Sequence, residues 1–359
     1  MSNKTGSITI GGHHITRGGA PYCIAEVGIN HNGSLDRAIE MVDVAKSSGV
    51  DAVKFQTFSA DQLCGDPQQM FTYQSQGKTI TEPMLDMFRR NEMSRSDWDR
   101  IKDYCVSAGI TFFSTPQNVS DLELLSEVGV DAVKVGSDDL SNLPLLREYA
   151  SFGLPMILSC GMADMADVHS ALAATGWYDG APVAMLLCTS QYPTPPEDVN
   201  ILKIDTLRGA FPGLMVGFSD HTQGALAAAM AVAKGAVIFE KHFTLDHDLP
   251  GPDHWFSCNP DELTDWVDTI RTAHRQLGSP HVVPTTKEHE MRVLARRSVV
   301  AIGNIKKGDR FTAENIGIRR PGNGLSPELF DNIIGQTAMR DVALGTPLDF
   351  KDIGGNAAE

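Results

Sequence analysis

Short apolar runs and amphipathic segments alternate along the chain through residue 277. The apolar runs predict eight strands, over 23–29, 52–58, 111–116, 132–137, 155–160, 183–189, 214–219 and 237–243. A helical period follows each run and predicts helices over 35–48, 94–108, 120–128, 142–152, 164–175, 200–210, 224–234 and 260–277. Eight such units in succession predict an α/β fold of the (β/α)8 TIM barrel type, whose catalytic groups lie where the strands end. An open doubly wound sheet is the alternative, although the first turn lacks the glycine spacing of a dinucleotide site.

The remaining segments divide the chain into domains. Alternating residues around Gly11-Gly12 predict an N-terminal β-hairpin, which we assign to a barrel domain over 1–283. The stretch 59–93 is too long for an ordinary connection and is typical of a lid. A charged linker over 284–297 then leads to a small β-rich domain over 298–359.

Polar residues stand where the apolar runs end. Glu26 closes the first run, just before a polar glycine turn, and acids are seldom buried there without a partner. Because the strand ends of a barrel share one rim, the sequence predicts a single site. A salt bridge to Lys54 is the purely structural alternative for Glu26. Other residues at or just after strand ends are Lys54, Thr115, Lys134, Ser137, Ser159, His221, Glu240 and His242.

Two histidines, His221 and His242, end the seventh and eighth strands. Neutral imidazoles on adjacent strands are typical of a divalent metal site, and the alternative is a pair of hydrogen-bonded rim histidines. Strand alternation puts Glu240 and His242 on one face, and it turns Lys241 toward the helix layer.

Two lysines, Lys54 and Lys134, end near-identical strands and allow three interpretations. They form a barrel salt bridge, or one forms a Schiff base with a carbonyl substrate, or both bind an anion. Anion binding suits the hydroxyl donors nearby, since carboxylate and phosphate oxygens accept several charge-assisted hydrogen bonds.

The composition of the chain limits the classes of partner that it can bind. The net charge of -15 argues against nucleic acid and anionic membranes as partners. No apolar run approaches the roughly 20 residues that span a bilayer, and the N-terminus lacks the apolar core of a signal peptide. The six cysteines show no Cys-x-x-Cys spacing, so neither a zinc ribbon nor a disulfide scaffold is indicated. We therefore expect a cytoplasmic protein.

Seven motifs lie along the barrel part of the chain: Ile24-Ala25-Glu26-Val27-Gly28-Ile29-Asn30-His31-Asn32-Gly33, Lys54-Phe55-Gln56, Lys134-Val135-Gly136-Ser137, Tyr192-Pro193-Thr194-Pro195, Gly217-Phe218-Ser219-Asp220-His221-Thr222, Glu240-Lys241-His242-Phe243-Thr244 and Gly251-Pro252-Asp253-His254. Together they resemble the bacterial sialic acid (N-acetylneuraminate) synthases and the related legionaminic and pseudaminic acid synthases. The end of the chain, with its turn at Arg320-Pro321-Gly322-Asn323-Gly324, resembles that family's antifreeze-like (SAF) domain.

The resemblance implies a reaction and a role for each residue. Phosphoenolpyruvate condenses with an N-acetylated mannosamine-type aldehyde to give a nine-carbon 2-keto sugar acid and phosphate. His221 and His242 would hold Mn²⁺, or else Mg²⁺ or Co²⁺, which polarises the aldehyde. Glu26 would assist the addition of water at carbon 2. The phosphoenolpyruvate positions are Lys54, Thr115, Lys134, Ser137 and Ser159, and the sugar positions are Ser190, Tyr192, Asp253 and Arg320. Glu240 would share the catalytic rim.

The resemblance also implies a homodimer in which the SAF domain closes the partner's active site. Three departures concern the substrate: Asp138-Asp139 replaces Gly-Glu, Cys160 replaces Thr, and Ser190-Gln191 replaces an Asn. The change at Ser190-Gln191 leaves the acceptor sugar open between N-acetylmannosamine and a 2,4-diacetamido-2,4,6-trideoxyhexose, the legionaminic or pseudaminic acceptor. Two rival functions remain: a Schiff-base pyruvate aldolase with Lys134 as the nucleophile, and a non-catalytic ice- or sugar-binding protein.

Overall fold

The computed structural model describes residues 6–354, which fall into two compact units divided between Gly278 and Ser279. The observed division lies slightly before the predicted boundary at residue 283. The outer ends of the two predicted domains, 1–5 and 355–359, lie outside the described residues.

A closed parallel barrel dominates the first unit and confirms the predicted (β/α)8 fold. Eight strands from the described residues close it, in the order β3-β4-β7-β8-β9-β10-β11-β12, while β1 with β2 and β5 with β6 form antiparallel hairpins. The strands are β1 (Ser7–Ile10), β2 (His13–Thr16), β3 (Tyr22–Gly28), β4 (Ala52–Thr57), β5 (Met70–Ser75), β6 (Lys78–Pro83), β7 (Thr111–Pro116), β8 (Val133–Val135), β9 (Met156–Ser159), β10 (Val183–Cys188), β11 (Met215–Asp220) and β12 (Ile238–His242).

Helices cover the barrel and follow the predicted positions closely. Local signals explain their ends: Ser94 and Asp97 form a capping box at the start of α4, and Gly109 ends it in a left-handed conformation. The helices are α1 (Leu35–Ser47), α2 (Ala60–Leu63), α3 (Met84–Arg89), α4 (Arg95–Ala108), α5 (Val119–Val128), α6 (Leu143–Ser151), α7 (Met165–Ala174), α8 (Lys203–Ala210), α9 (Leu226–Ala233) and α10 (Pro260–Leu277), with 3-10 turns at Trp177–Asp179 and Pro196–Asp198.

The barrel strands are buried on both faces, which explains why they read as continuous apolar runs. Each β3 residue from Tyr22 to Gly28 is buried, and Glu26 interrupts the apolar run two residues before its end. Within the described part of the chain, no helix is long and apolar enough to cross a bilayer.

The long segment between β4 and α4 is a folded hairpin with two short helices rather than an open loop. Its tip is bonded to the loop after β12: Gln76 Nε2 donates to the Asp248 carbonyl at 2.9 Å, and the Gly251 N–H donates to Ser75 Oγ at 3.1 Å. The segment that follows β4 is therefore hydrogen-bonded to the loop that follows β12, on the rim where the barrel strands end.

The second unit has its own small core, which includes Val299, Phe311, Ile316 and Leu348. Most of the predicted linker, 284–297, forms a helix. Thr285 and Glu288 form a capping box, but no residue of the helix is buried, so the sequence carries no apolar period. The elements are α11 (Thr286–Ala295), β13 (Ser298–Ala301), β14 (Ile316–Arg319), α12 (Phe330–Ile333), β15 (Thr337–Ala338) and β16 (Ile353–Gly354), with 3-10 turns at Pro327–Leu329 and Phe350–Asp352.

Candidate active site

A cavity of about 360 Å³ opens at the rim where the barrel strands end. Eleven of the thirteen predicted site residues line it, on the eight barrel strands or the turns that follow them. They are Glu26, Lys54, Thr115, Lys134, Ser137, Ser159, Ser190, Tyr192, His221, Glu240 and His242. The structure therefore brings the predicted rim residues together in one cavity.

Four buried charges form the floor of this cavity. Lys54 Nζ forms a close ion pair with Glu26 Oε2 and lies 3.8 Å from Glu240 Oε2. Lys134 Nζ lies 3.9 Å from Glu240 Oε1. The salt bridge between Glu26 and Lys54 thus exists, but as part of a cluster in which two carboxylates balance two ammonium groups.

The two carboxyl groups of this cluster differ in their affinity for protons. Burial raises the pKa of Glu26 to about 7, and the neighbouring Glu240 adds to the shift while Lys54 opposes it. Burial also pushes the pKa of Glu240 upward, but the ammonium groups of Lys134 and Lys54 outweigh it and hold that pKa below its usual value. Glu26 is therefore the carboxyl group suited to exchange a proton near neutral pH.

Hydroxyl groups accompany both ammonium groups. Lys54 Nζ donates to Thr115 Oγ1 at 3.0 Å, and Lys134 Nζ donates to Ser159 Oγ at 2.7 Å. Ser137 Oγ accepts from the Gly161 N–H at 3.0 Å. Ammonium and hydroxyl groups that share one cavity can bind the oxygens of a carboxylate or a phosphate.

Gly161 allows two hydroxyl groups to converge at the edge of this cavity. A Cβ atom at Gly161 would lie 2.4 Å from Ser190 Oγ and 2.6 Å from Ser137 Oγ, which is closer than real Cβ contacts. A side chain at this position would therefore displace the hydroxyl of Ser137 or Ser190 from the cavity.

The two histidines face each other across the end of β11 and β12, with ring centroids 5.4 Å apart. His221 Nδ1 donates to the Thr189 carbonyl at 2.7 Å, so in the neutral ring Nε2 carries the lone pair. His242 Nδ1 is buried without a hydrogen-bond partner among the described residues. Burial lowers the pKa of His242 well below its usual value, so the ring is neutral, the form that binds a metal.

These two imidazoles fit a divalent metal ion as two of its ligands. Residues 6–354 contain no cluster of three or more His, Cys, Asp or Glu side chains arranged to hold one. The remaining ligands would have to be oxygen atoms of water or substrate, as in catalytic sites with open positions.

Two predicted residues lie outside the lining of the cavity. Asp253 is partly buried and lies close to Gly28, at the end of β3. A Cβ atom added to Gly28 would lie 3.8 Å from Asp253 Oδ2 and 3.2 Å from Glu26 Oε1, so both carboxyl groups approach the same glycine. Burial raises the pKa of Asp253 to about 6. Arg320 belongs to the second unit, directly after β14.

Several residues that line the cavity were not predicted as site residues. Gln56 Nε2 donates to Glu26 Oε1 at 3.3 Å, and Ser219 Oγ donates to Glu240 Oε1 at 2.9 Å. Both residues lie at the ends of barrel strands, so the rule that placed the other site residues could have indicated them. Leu63 and Phe88 come from the long segment before α4, where the strand-end rule gives no signal. The other unpredicted lining residues are Gln117, Gly136, Asp138, Met162 and Cys188.

A (β/α)8 barrel whose mouth joins buried ammonium groups, a carboxyl group with a raised pKa and two imidazoles has the layout of an enzyme for an acidic substrate. The model of the NeuB family matches residues 41–282, and the SAF domain model matches 296–354. The chain belongs to the NeuB family.

Relatives with known names cover nearly the whole chain. The N,N'-diacetyllegionaminic acid synthase of Legionella pneumophila is 38% identical over 343 residues, covering 94% of this chain and 96% of that protein. The human N-acetylneuraminate-9-phosphate synthase is 33% identical over 334 residues, covering 92% and 90%. The solved N-acetylneuraminic acid synthetase of Leptospira borgpetersenii serovar Hardjo-bovis, in complex with citrate, aligns with a TM-score of 0.71 and 31% identity, covering 79% and 94%.

Proposed function

We propose that this protein is a nonulosonic acid synthase, which condenses phosphoenolpyruvate with N-acetylmannosamine or a related 2-acetamido hexose and releases phosphate. The alternative acceptor is a 2,4-diacetamido-2,4,6-trideoxyhexose, which the 38% identity to a legionaminic acid synthase favours. Both acceptors present an aldehyde to the same carbon of phosphoenolpyruvate, so the chemistry below applies to either.

The observation that carries this proposal is the pairing of two buried lysines with hydroxyl groups beside Glu26. Lys54 with Thr115 and Lys134 with Ser159 offer donors for the carboxylate and phosphate of phosphoenolpyruvate. A ligand with negative charge would compete with Glu26 and Glu240 for the same ammonium groups. Binding therefore exchanges one set of ion pairs for another, rather than burying new charges without partners.

The proposed steps balance as follows. Carbon 3 of phosphoenolpyruvate forms a bond to the aldehyde carbon, whose oxygen takes up a proton. Water adds to the cationic carbon 2 and gives up a proton, and the resulting tetrahedral centre expels inorganic phosphate to leave the 2-keto acid. Glu26, with a pKa raised to about 7, is suited to accept the proton from water and to stabilise the nearby positive charge.

His221 and His242 would hold Mn²⁺, or alternatively Mg²⁺ or Co²⁺, which would supply Lewis-acid polarisation of the acceptor carbonyl. The bond from His221 Nδ1 to Thr189 supports this role, because it fixes the tautomer that keeps the Nε2 lone pair free to bind.

We further propose a homodimer in which Arg320 of one SAF domain completes the cavity of the partner barrel. A mixture of Glu26→Gln and Arg320→Ala protomers tests this. If Arg320 acts in trans, mixing two weak variants restores a fraction of the activity, whereas action within one chain restores none. The cytoplasmic location stays a prediction from the sequence.

Phosphate release from phosphoenolpyruvate tests the main proposal. The purified protein is assayed with N-acetylmannosamine and the 2,4-diacetamido-trideoxy hexoses, with Mn²⁺ and with chelator. We expect Mn²⁺-dependent release with one acceptor class, and no release with any acceptor would refute the proposal. Burial lowers the pKa of Lys134, which a Schiff-base lysine also requires, so borohydride trapping with pyruvate is the second arm. Chelator-insensitive trapping would instead support the aldolase.

A further inference from the structure

A buried ion pair lies on the outer face of the last two barrel strands. Asp220 is the last residue of β11, and Lys241 is its partner in the register with β12. Lys241 Nζ lies 3.1 Å from Asp220 Oδ2, and the two side chains are 4% and 0% exposed. The pair points toward the helices rather than into the cavity, as the strand alternation predicted for Lys241.

The carboxylate of Asp220 has hydrogen-bond partners on both oxygen atoms. Oδ1 accepts from the Thr222 N–H at 2.9 Å and from the Thr222 hydroxyl at 2.7 Å, and Oδ2 accepts from the Trp266 indole at 2.9 Å. Lys241 also donates to the Thr222 carbonyl at 2.5 Å. Because Asp220 and Thr222 flank His221, these bonds close a ring around the backbone of that histidine.

Backbone positions next to both imidazoles are tied to this ion pair. The His221 carbonyl accepts from the Thr194 N–H at 2.8 Å, so its backbone is held from a second direction. His242 directly follows Lys241, and Asp220 with Lys241 is the last aligned pair of β11 and β12 before the two histidines. The ion pair therefore joins the two strand ends directly before the histidines.

Stability alone does not explain a charged pair at such a buried position, because apolar residues of similar volume often stabilise a core as well or better. A salt bridge with several fixed partners differs from apolar packing in that it specifies one register and one distance. We propose that the pair formed by Lys241 and Asp220 is a positioning element, which sets the separation of His221 and His242 for their shared metal ion. This inference rests on the metal-binding part of the proposed function.

The test is Mn²⁺ binding to full-length Lys241→Met by titration calorimetry, without substrates. We expect an affinity about 10- to 100-fold below wild type, the usual cost of losing a group that orients metal ligands. The Mn²⁺ concentration for half-maximal activity should rise in parallel. The KM for phosphoenolpyruvate should stay unchanged, because Lys54 and Lys134 lie on other strands. Lys241→Arg keeps the charge and should restore most of the affinity.

Lys102→Met is the matched control. It removes the ion pair of Lys102 with Asp131, 3.2 Å apart, which joins α4 to the segment entering β8, at the other end of the barrel. We expect it to lower the melting temperature without changing Mn²⁺ affinity. Equal Mn²⁺ affinity in Lys241→Met and wild type would overturn the inference, and so would an equal loss in the control.

Two further results are informative. If wild type binds no Mn²⁺, the metal part of the proposed function fails and this inference fails with it, whereas the phosphate assay still judges the condensation. If Lys241→Met does not fold, Thr222→Val removes one bond to Asp220 while keeping the ion pair. We then expect a few-fold loss of Mn²⁺ affinity, and an unchanged affinity would overturn the inference.

Discussion

The two sides of the cavity differ in how their functional groups are held. On the lysine side, which consists of Glu26, Lys54, Lys134 and Glu240, every charge has an opposite charge within 4 Å. On the histidine side, which consists of His221, His242 and Tyr192, the rings are held by backbone bonds and aromatic contacts. His221 and Tyr192 have ring centroids 4.2 Å apart.

The difference shows two ways of preparing a site. On the lysine side, the ion pairs that hold the two lysines in place are the ones that an anionic substrate must replace. The same groups therefore position the site and bind the substrate. The histidine side keeps its scaffold on the outer face of the barrel, where Asp220 and Lys241 lie, and leaves ring nitrogens for a ligand. Substitutions on the lysine side should therefore change kcat or the KM for phosphoenolpyruvate, whereas substitutions that disturb the histidine side should change the affinity for Mn²⁺.

The largest effect is expected from Glu26→Gln. The amide keeps the size of the side chain but cannot take a proton from water, so kcat should fall by about 100- to 10,000-fold, the usual worth of a general base. The KM for the acceptor sugar should change little. Steady-state phosphate release measures both constants.

Glu127→Gln provides the comparison for this variant, because Glu127 also pairs with a cation but on the surface, with Arg95. Its kcat should equal that of wild type. Retention of full activity by Glu26→Gln would leave Glu26 a structural partner of Lys54 and nothing more.

Lys134→Met should mainly weaken the binding of phosphoenolpyruvate. A charge-assisted hydrogen bond contributes about 1.5–3 kcal/mol, so the KM for phosphoenolpyruvate should rise by about 10- to 100-fold. The affinity for Mn²⁺ should not change, because the histidine side has separate supports. Lys203→Met, which removes an exposed lysine from a neighbouring cavity, should leave both constants unchanged. A fall in Mn²⁺ affinity in Lys134→Met would show that the two sides are not independent.

The pH profile should report the proton affinity of Glu26. Burial raises the pKa of Glu26 to about 7, so the carboxylate form disappears as the pH falls below that value. Because the carboxylate is the active form, kcat/KM should rise about tenfold per pH unit up to about pH 7 and then level off. Residual turnover of Glu26→Gln should lack this rising limb, and a limb that persists in the variant would assign it to another group.

The lysine side was largely predictable from the sequence, and the supports of the histidine side were not. Lys54, Lys134, Glu240 and Glu26 are charges that interrupt or end apolar runs, and barrel geometry places such residues on one rim. Alternation also predicted that Lys241 turns outward. Its partner Asp220 could not be chosen, because that choice depends on the register between β11 and β12, which the sequence does not show.

The β5–β6 hairpin and helix α11 were not predicted from the sequence, because both bury few residues. The hairpin of β5 and β6 has strands that are mostly exposed or half-buried, and α11 has no buried residue. Apolar periodicity reports burial, so elements that bury little leave little pattern. The capping box at Thr285 was the readable sign of α11.

The smallest effect is expected from Thr115→Val, which tests whether the hydroxyl groups of the lysine side contribute to substrate binding. Thr115→Val keeps the shape of the side chain and removes the acceptor of a 3.0 Å bond from Lys54. A neutral partner contributes about 0.5–1.5 kcal/mol, so the KM for phosphoenolpyruvate should rise about 2- to 10-fold. Thr57→Val removes a hydroxyl of the same kind on β4, where Thr57 bonds to Ser114 at 2.7 Å outside the cavity lining. It should reduce stability without changing that KM, so equal effects of the two valines would mean that the hydroxyl of Thr115 supports the barrel rather than the substrate.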